Sequence, residues 1–371
     1  MKDVIALVNL HNSTDLGELT KQRPLASTTF LGRYTFIDFA LSNLTNSGID
    51  NIGILVKDHS RSIFKHLGYE STYLKNPKTG FQSLFINEYG LTNPTFNTDI
   101  NNIKENDWFL YDNDAKYIVI VPVQFVYRID FNSIIEQHIQ SQKLVSVVYR
   151  ETSHADTRFL GCDKITVDVL GNIQKFTTND GSRNNANISL ETYVISASYL
   201  RDLLKRVDSI SSLFSLKDLV HYIANYENKV HAIKYDGYCR YFSSLKEYVD
   251  FSFELLDTEK FKTSLFIDDW TYHTTSHNSR PIIYGCDAEV SNSVLANGCS
   301  IDGKVTHSIL ARNVIVEEGA EVENSIIFTD TIIKKGVKIK NVVIDKHCKI
   351  ENKDLINDDC NPIYIPQGAK I

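Results

Sequence analysis

The side chains of this sequence that could perform chemistry form none of the familiar local motifs. The six cysteines lie at positions 162, 239, 286, 299, 348 and 360, and no two are spaced as Cys-x-x-Cys. This spacing argues against a zinc ribbon or a dithiol redox centre. His11 follows an apolar stretch, but no serine or cysteine nucleophile motif accompanies it. We therefore interpret His11 as a residue that fills a pocket and not as a catalytic base.

Length and composition predict a folded protein of two or three domains. The chain has 371 residues, of which 42% are hydrophobic and 23% charged, so it is too apolar for a disordered protein. Its formal net charge is −7 and no lysine- or arginine-rich block stands out, so we expect no nucleic-acid partner. No apolar run approaches the roughly 18 residues of a membrane span. Scattered cysteines without an export signal predict a cytoplasmic protein with no membrane partner.

The first part of the chain alternates strand and helix patterns. Apolar runs at residues 4–10, 51–56, 117–123 and 144–149 predict buried strands, and the spacing over residues 36–46 and 134–139 predicts helices. Such strands imply a mostly parallel sheet covered on both faces. Residues 165–176 predict a hairpin and 192–196 another strand, followed by helices at 199–207, 216–226 and 245–256.

After about residue 280 the pattern changes to short Ile/Val runs interrupted by Gly, Asn and Asp. Aliphatic residues recur every six positions in two rows, and turn dipeptides lie 21 and 17 residues apart, which brackets three six-residue units. This period predicts a hexapeptide β-helix, with an antiparallel sandwich as the alternative. The rows are Val314, Ala320, Ile326 and Ile332, and Ile315, Ile327, Ile333 and Ile339.

Several ordered motifs extend this interpretation to nearly the whole chain. They are FLGRYTFIDFALSNLTNSGI over residues 30–49, HNSRPIIYG over 277–285, NSVLANGC over 292–299 and VVIDK over 342–346. Together they resemble the glucose-1-phosphate adenylyltransferase family. The resemblance implies an α/β fold: a doubly wound, mostly parallel, nucleotidyltransferase-like (Rossmann-like) sheet in residues 1–256, a linker in 257–281 and a left-handed hexapeptide β-helix in 282–371.

The resemblance also implies where a nucleotide would bind, and there the sequence departs from the family. Catalytic members carry a loop Gly-Gly-x-Gly-Ser/Thr-Arg-Leu shortly before a Leu-Thr pair. Such glycines let backbone N–H groups approach phosphates, and the arginine stabilises the leaving pyrophosphate. Counting back from Leu19 and Thr20 places Leu10, His11 and Ser13 at the glycine positions and Asp15 at the arginine position.

The family's metal ligands and sugar-phosphate lysine are missing as well. The frame of Gly-Asp-His-x-Tyr-x-x-Asp places Gln124 at the first metal-binding aspartate, and that of Gly-Tyr-Trp-x-Asp places Tyr241 at the second. Gln offers one neutral oxygen, and the Tyr phenol stays protonated near neutral pH. The motif Phe-x-x-Lys-Pro places Asn179 at the lysine. We therefore expect no catalytic residue, metal ligand or cofactor in this chain, and Mg²⁺ in a catalytic partner.

Other charged residues receive weaker interpretations. Arg33 occupies the position that, in the family, lies near a sugar-phosphate effector site, which makes it a candidate for binding an effector; the alternative is a solvated arginine. We interpret Asp38 as structural, and Lys175 and Asp180 as surface charges.

The joint loss of these elements resembles the non-catalytic (GlgD-type) subunit of the family. This resemblance implies a regulatory subunit in glycogen biosynthesis that raises the activity of a catalytic paralogue, assembled as a heterotetramer, with a sugar phosphate or nucleotide as the candidate effector. Two alternatives remain: a weakly active nucleotidyltransferase with a rebuilt site, and a stand-alone sugar-phosphate or nucleotide sensor.

Overall fold

The computed structural model describes residues 3–68, 73–74, 80–210 and 215–371. The chain divides into two compact units that interleave along the sequence. Unit 1 contains Met1–Ser13, Phe39–Tyr241 and Thr271–His273, and unit 2 contains Thr14–Asp38, Phe242–Trp270 and Thr274–Ile371. The predicted segment boundaries at residues 256 and 281 are not the boundaries of these units.

The helices agree with the apolar spacing of the sequence where a prediction was made. The predicted helix over residues 36–46 has those bounds in the structure, and Gly48 follows it with a φ of 74°. The described residues form α1 (Phe36–Asn46), α2 (Ser60–Leu67), α3 (Glu88–Thr92), α4 (Asp99–Glu105), α5 (Trp108–Asp112), α6 (Phe131–Ser141), α7 (Ala197–Arg206), α8 (Leu216–Glu227), α9 (Leu245–Glu254) and α10 (Thr258–Ser264). Helix α10 lies in the predicted linker.

The strands before residue 280 include each predicted run. They are β1 (Val4–Asn9), β2 (Thr29–Phe30), β3 (Tyr34–Thr35), β4 (Asn51–Val56), β5 (Phe81–Ile86), β6 (Tyr117–Pro122), β7 (Phe125–Tyr127), β8 (Val145–Thr152), β9 (Asp163–Val167), β10 (Ile173–Thr178), β11 (Ala186–Ser196), β12 (Val230–Lys234) and β13 (Cys239–Tyr241). The predicted hairpin is the antiparallel pair of β9 and β10, and Gly171 makes its turn with a φ of 81°.

Unit 1 is built on a nine-stranded sheet with the order β10-β9-β11-β6-β1-β4-β5, to which β8 and β12 are added beside β11. Strands β6, β1, β4 and β5 are mutually parallel, and β12 is parallel to β8, whereas β11 is antiparallel to both β6 and β8. All six residues of β1 are buried. The prediction of a mostly parallel sheet covered on both faces is confirmed.

Unit 2 contains the β-helix, in which three parallel sheets receive one strand each from successive coils. This is the arrangement of a left-handed hexapeptide β-helix, so the prediction of a β-helix over a sandwich is confirmed. Its strands are β14 (Ile283–Tyr284), β15 (Glu289–Ser291), β16 (Val294–Leu295), β17 (Ser300–Ile301), β18 (Lys304–Thr306), β19 (Ile309–Leu310), β20 (Ile315–Val316), β21 (Glu321–Glu323), β22 (Ile326–Ile327), β23 (Ile332–Ile333), β24 (Lys338–Lys340), β25 (Val342–Ile344), β26 (Lys349–Ile350), β27 (Leu355–Ile356) and β28 (Ile363–Ile365).

The prediction that the interior residues recur at every sixth position is wrong, because the coils in this region contain 17 residues and not 18. Pairing of Ile315 with Ile332, and of Ile332 with Lys349, gives a coil of 17 residues. A strict six-residue row therefore slips by one residue per coil, and Ile332 and Ile315 are half-buried outside the interior. The interior row follows steps of six, five and six residues: Val316, Val322, Ile327, Ile333, Ile339, Ile344 and Ile350.

The segment Thr14–Asp38 packs against the β-helix within unit 2. The buried Arg23 guanidinium pairs with the buried Asp345 carboxylate, which also accepts a hydrogen bond from the Tyr364 hydroxyl. Gly32 has a φ of 73°, and a Cβ there would come within 3.0 Å of the Leu310 carbonyl oxygen. Burial of these groups fixes the segment to the β-helix.

Candidate functional site

The loop after β1, where the family places its phosphate-binding glycines, carries buried side chains. Leu10 donates its N–H to the Leu55 carbonyl (3.1 Å), which continues the pairing of β1 with β4 by one residue. The Ser13 hydroxyl donates to the Leu10 carbonyl (3.1 Å). The Leu10 amide and carbonyl are thus used within the protein.

His11 is enclosed beside α4 and is 7% exposed. The backbone N–H of His11 donates to Asn9 Oδ1 (2.9 Å), and the imidazole Nε2 lies 3.1 Å from the Asn102 side-chain nitrogen. Burial, reinforced by the positive charge of Lys57, lowers the pKa of His11 to about 4. The imidazole is therefore neutral near pH 7.

A buried carboxylate, Asp99, extends this cluster and was not identified from the sequence. Asp99 accepts hydrogen bonds from the Asn9 side chain (2.7 Å) and from the backbone N–H groups of Ile100 (2.9 Å) and Leu216 (2.8 Å). Its burial raises its pKa despite these donors. Asp99 thus links the end of β1 to the first residues of α4 and α8, which are far apart in sequence.

Gln124, at the first metal-ligand position, is 1% exposed and lies between β6 and β7. Its side-chain nitrogen donates to Glu191 Oε2 (2.9 Å). Its Oε1 is buried and has no hydrogen-bond partner among the described residues. Glu191 has a left-handed φ of 49° and lies where the pairing of β11 with β8 shifts register.

Glu191 belongs to a partly buried ionic cluster that also contains Lys217, Asp163 and His221. The Lys217 ammonium lies 3.3 Å from Glu191 Oε1 and 3.1 Å from Asp163 Oδ1, and His221 Nε2 lies 2.7 Å from Asp163 Oδ2. Burial raises the pKa of Glu191, and Lys217 only partly offsets this. Burial also acts to raise the pKa of Asp163, but His221 and Lys217 outweigh it, so that pKa is lowered. Lys217 therefore contacts both carboxylates, and His221 also stabilises Asp163.

Tyr241, at the second metal-ligand position, is packed among aromatic rings. Pairing of β13 with β7 places it opposite Phe125, whose ring centroid is 4.9 Å away. The Phe159 ring also stacks on the Tyr241 ring, with a centroid distance of 6.2 Å and an interplanar angle of 17°. The Tyr241 side chain therefore contributes to packing at this position.

Asn179, at the position where the family has the lysine that contacts the sugar phosphate, is hydrogen-bonded to the loop that follows β8. Its side-chain nitrogen donates to the carbonyls of Ala155 (2.9 Å), Arg158 (3.1 Å) and Phe159 (3.0 Å). Asn179 is 2% exposed, so these bonds replace solvent entirely. Contacts through Phe159 and Phe125 connect Asn179, Tyr241 and Gln124 within unit 1.

These residues do not fit a divalent magnesium ion. Mg²⁺ requires oxygen ligands, usually carboxylates, in near-octahedral geometry. Gln124 presents one neutral buried oxygen, and Tyr241 is packed among aromatic rings. The neighbouring carboxylate of Glu191 is bonded to Gln124 and Lys217. Within residues 3–68, 73–74, 80–210 and 215–371, no group of three or more His, Cys, Asp or Glu is placed to hold a metal ion.

The remaining candidates bond locally. In unit 2, Asp15 Oδ1 accepts from the Gly17 N–H (2.8 Å) and the Thr20 hydroxyl (2.7 Å), and so it organises the turn Gly17–Leu19. Arg33 is exposed, with its guanidinium 5.3 Å from the Tyr34 ring centroid. Asp38 accepts two bonds from Thr35 at the start of α1.

Lys175 and Asp180 are exposed in unit 1. Asp180 pairs with Lys164 at 2.9 Å, and hydrogen bonds from Lys164 and Ser182 lower its pKa. None of the helices in the described part of the chain combines the length and apolarity that a membrane crossing requires.

A mostly parallel sheet covered by helices, followed by a hexapeptide β-helix, defines a class of two-part nucleotidyltransferases. Comparison of the sequence with protein families agrees: residues 12–227 match the Nucleotidyl transferase family and residues 283–361 match the GlmU-like, C-terminal hexapeptide family. The chain belongs to the nucleotidyl transferase family.

Curated relatives confirm the resemblance to the glucose-1-phosphate adenylyltransferase family. The glucose-1-phosphate adenylyltransferase of Fervidobacterium nodosum is 27% identical over 364 residues, covering 97% of this chain and 85% of that protein. The enzyme of the same name from Clostridium perfringens is 26% identical, with 90% of this chain and 85% of that protein covered. The one from Thermosipho africanus is 28% identical, with 87% and 78% covered.

Proposed function

We propose that this chain is the regulatory, non-catalytic subunit of a glucose-1-phosphate adenylyltransferase in glycogen biosynthesis. In this role it assembles with a catalytic paralogue that makes ADP-glucose from ATP and glucose 1-phosphate, and raises the activity of that paralogue. The paralogue supplies the Mg²⁺ site.

One observation carries the proposal: the positions of the family's catalytic groups hold side chains that are committed to internal bonds. Gln124 donates to Glu191, Asn179 donates to three carbonyls, and Tyr241 packs among aromatic rings. A site that had only lost its ligands would leave an open, polar pocket. Here the replacements are bonded and packed, which supports a stable structural role for this region.

Charge supports the same conclusion. Asp15 stands where the family's arginine would face the polyphosphate, and the Lys217 ammonium is occupied by Glu191 and Asp163. Neutralising the charge on a leaving pyrophosphate requires available positive charge or metal ions. We therefore expect negligible nucleotidyl transfer by the chain alone.

The β-helix supports assembly with another subunit. In the described part of the chain, strands β14, β15 and β16 are each the edge strand of a sheet and pair only with β17, β18 and β19, respectively. Unpaired edges that remain exposed invite association, so proteins usually cover them. We expect the oligomer to cover this coil.

The test is co-expression with a paralogue from the same organism that retains the loop glycines, the loop arginine and both metal-binding aspartates. The proposal predicts that the two chains co-purify and that ADP-glucose formation per paralogue rises in the complex, while the chain alone stays at background. ATP- and Mg²⁺-dependent turnover by the chain alone would favour a weakly active enzyme. Tight binding of a sugar phosphate or nucleotide without co-purification would favour a stand-alone sensor.

A further inference from the structure

A cleft of about 340 Å³ lies between α9 and one corner of the β-helix. All of its lining residues belong to unit 2. Helix α9 contributes Asp250 and Phe253, the β-helix corner contributes His307, Asn324 and Asn341, and the loop after β27 adds Asp358 and Asp359.

The β-helix corner forms a regular ladder of planar polar side chains. His307, Asn324 and Asn341 have left-handed φ angles of 47°, 45° and 54°, and each comes from a successive coil. Adjacent coils are one strand spacing apart, about 4.8 Å. Asn292 occupies the same corner in the first coil, with a φ of 44°, but does not line the cleft.

Hydrogen-bonding groups in this cleft remain available to a ligand. His307 Nδ1 bonds Asn324 Oδ1 (2.6 Å), whereas the Asn324 side-chain nitrogen has no partner among the described residues. The Asp359 carboxylate likewise pairs with no described residue. The Phe253 ring lies beside them, 4.7 Å from the His307 ring. The cleft thus offers amide, carboxylate and aromatic groups together.

The charge of the cleft disfavours phosphorylated ligands. No lysine or arginine is among its described lining residues. Asp250 is paired with Lys246 (2.5 Å) and Asp358 with Lys340 (3.1 Å), which leaves the Asp359 charge uncompensated. A sugar phosphate or nucleotide would meet net negative charge here.

We infer that this cleft binds an uncharged oligosaccharide. Amide and carboxylate groups can each bond two neighbouring hydroxyls of a sugar ring, and an aromatic ring packs against its C–H face. The repeat of the polar ladder, about 4.8 Å, is close to the length of one hexose ring, so successive rungs can contact successive sugars. This inference does not depend on the proposed regulatory role.

The test is isothermal titration calorimetry, which measures the heat of binding to the full chain. The ligands are maltopentaose, cellopentaose and xylopentaose, each titrated with and without glucose 1-phosphate. We expect saturable binding of at least one pentasaccharide, unchanged by glucose 1-phosphate. Asn324→Gly keeps the left-handed backbone but removes the amide, and should weaken binding about tenfold, the effect of one lost hydrogen bond of about 1.4 kcal/mol. Asn292→Gly, at the same corner outside the cleft, should bind like the unmodified chain.

Absence of binding by all three sugars at millimolar concentration would overturn the inference, as would equal weakening by Asn292→Gly and Asn324→Gly. Competition by glucose 1-phosphate would also contradict it, because that ligand belongs to a cationic site. A calcium titration that shows binding while the sugars show none would assign the cleft to a cation instead. Each result is independent of whether the chain activates a paralogue.

Discussion

At the residue scale, side chains that could perform chemistry are used here to hold the fold. His11 is neutral and buried beside Asn102. The Asn179 side chain donates to three carbonyls, and the Gln124 side chain donates to Glu191. Each has exchanged solvent for internal partners. Changing one of them should therefore affect stability before it affects any activity.

His11 should make the folded state sensitive to acid. Its pKa is about 4 when folded and about 6.5 when unfolded, so between these values the unfolded state binds more protons. Stability should fall as pH decreases from 6.5 to 4, by about 3 kcal/mol from this residue. Urea unfolding across this range should show a shallower pH dependence for His11→Gln. An unchanged slope would mean that His11 is not buried as described.

The Lys217 ammonium should stabilise the folded state, because it pairs with two carboxylates. Lys217→Met leaves Glu191 and Asp163 without their ammonium, and breaking such a buried pair costs about 3 kcal/mol. Lys205→Met removes an exposed lysine 3.7 Å from Asp202 and should cost less than about 1 kcal/mol. Chemical denaturation measures both. Equal losses in the two variants would argue that the cluster is solvated.

The sequence predicted which positions depart from the family, but not what replaces them. Motif frames located Gln124, Asn179 and Tyr241, because each lies in a run of neighbours with a fixed order. The partners Glu191, Asp163 and Asp99 come from distant segments, and no local pattern distinguishes a buried carboxylate from a surface one. Only the tertiary fold brings Asp99 to Leu216, or Glu191 to Gln124.

At the scale of elements, hydrophobic patterning located the sheet and the β-helix but not the length of a coil. The runs at 4–10 and 51–56 are buried on both faces, so composition alone marks them as strands. In the β-helix, the 17-residue coils each combine two steps of six residues with one step of five. The shorter step is hidden in the sequence when aliphatic residues occur in adjacent pairs such as Ile332 and Ile333. Pairing between coils, which is a long-range property, decides which of the two faces inward.

The pair Ile332 and Ile333 gives a direct test of that register. Ile333 lies in the interior row, so Ile333→Ala should destabilise the β-helix by about 3 kcal/mol through the cavity it leaves. Ile332 is half-buried on the outside, so Ile332→Ala should cost about 1 kcal/mol or less. Thermal or chemical unfolding compares the two. The reverse order would show that the strands are shifted by one residue.

At the scale of the whole molecule, the chain combines the framework of the family with internally bonded residues at the positions of the family's catalytic groups. Relatives named glucose-1-phosphate adenylyltransferase align over most of its length, and the sheet and β-helix of that class are present. We propose that this shared framework lets the chain assemble with a catalytic paralogue. The bonded replacements explain why another subunit should perform the chemistry.

The most direct test of these proposed roles is the rate of ADP-glucose formation by the chain mixed with its paralogue. The paralogue is used in two forms, one intact and one with a metal-binding aspartate changed to asparagine. With the intact paralogue, we expect a rise of about fivefold over the paralogue alone, corresponding to an activation free energy lower by about 1 kcal/mol. With the disabled paralogue, we expect only background. ATP- and Mg²⁺-dependent product from the disabled mixture, or no rise with the intact paralogue, would contradict the account.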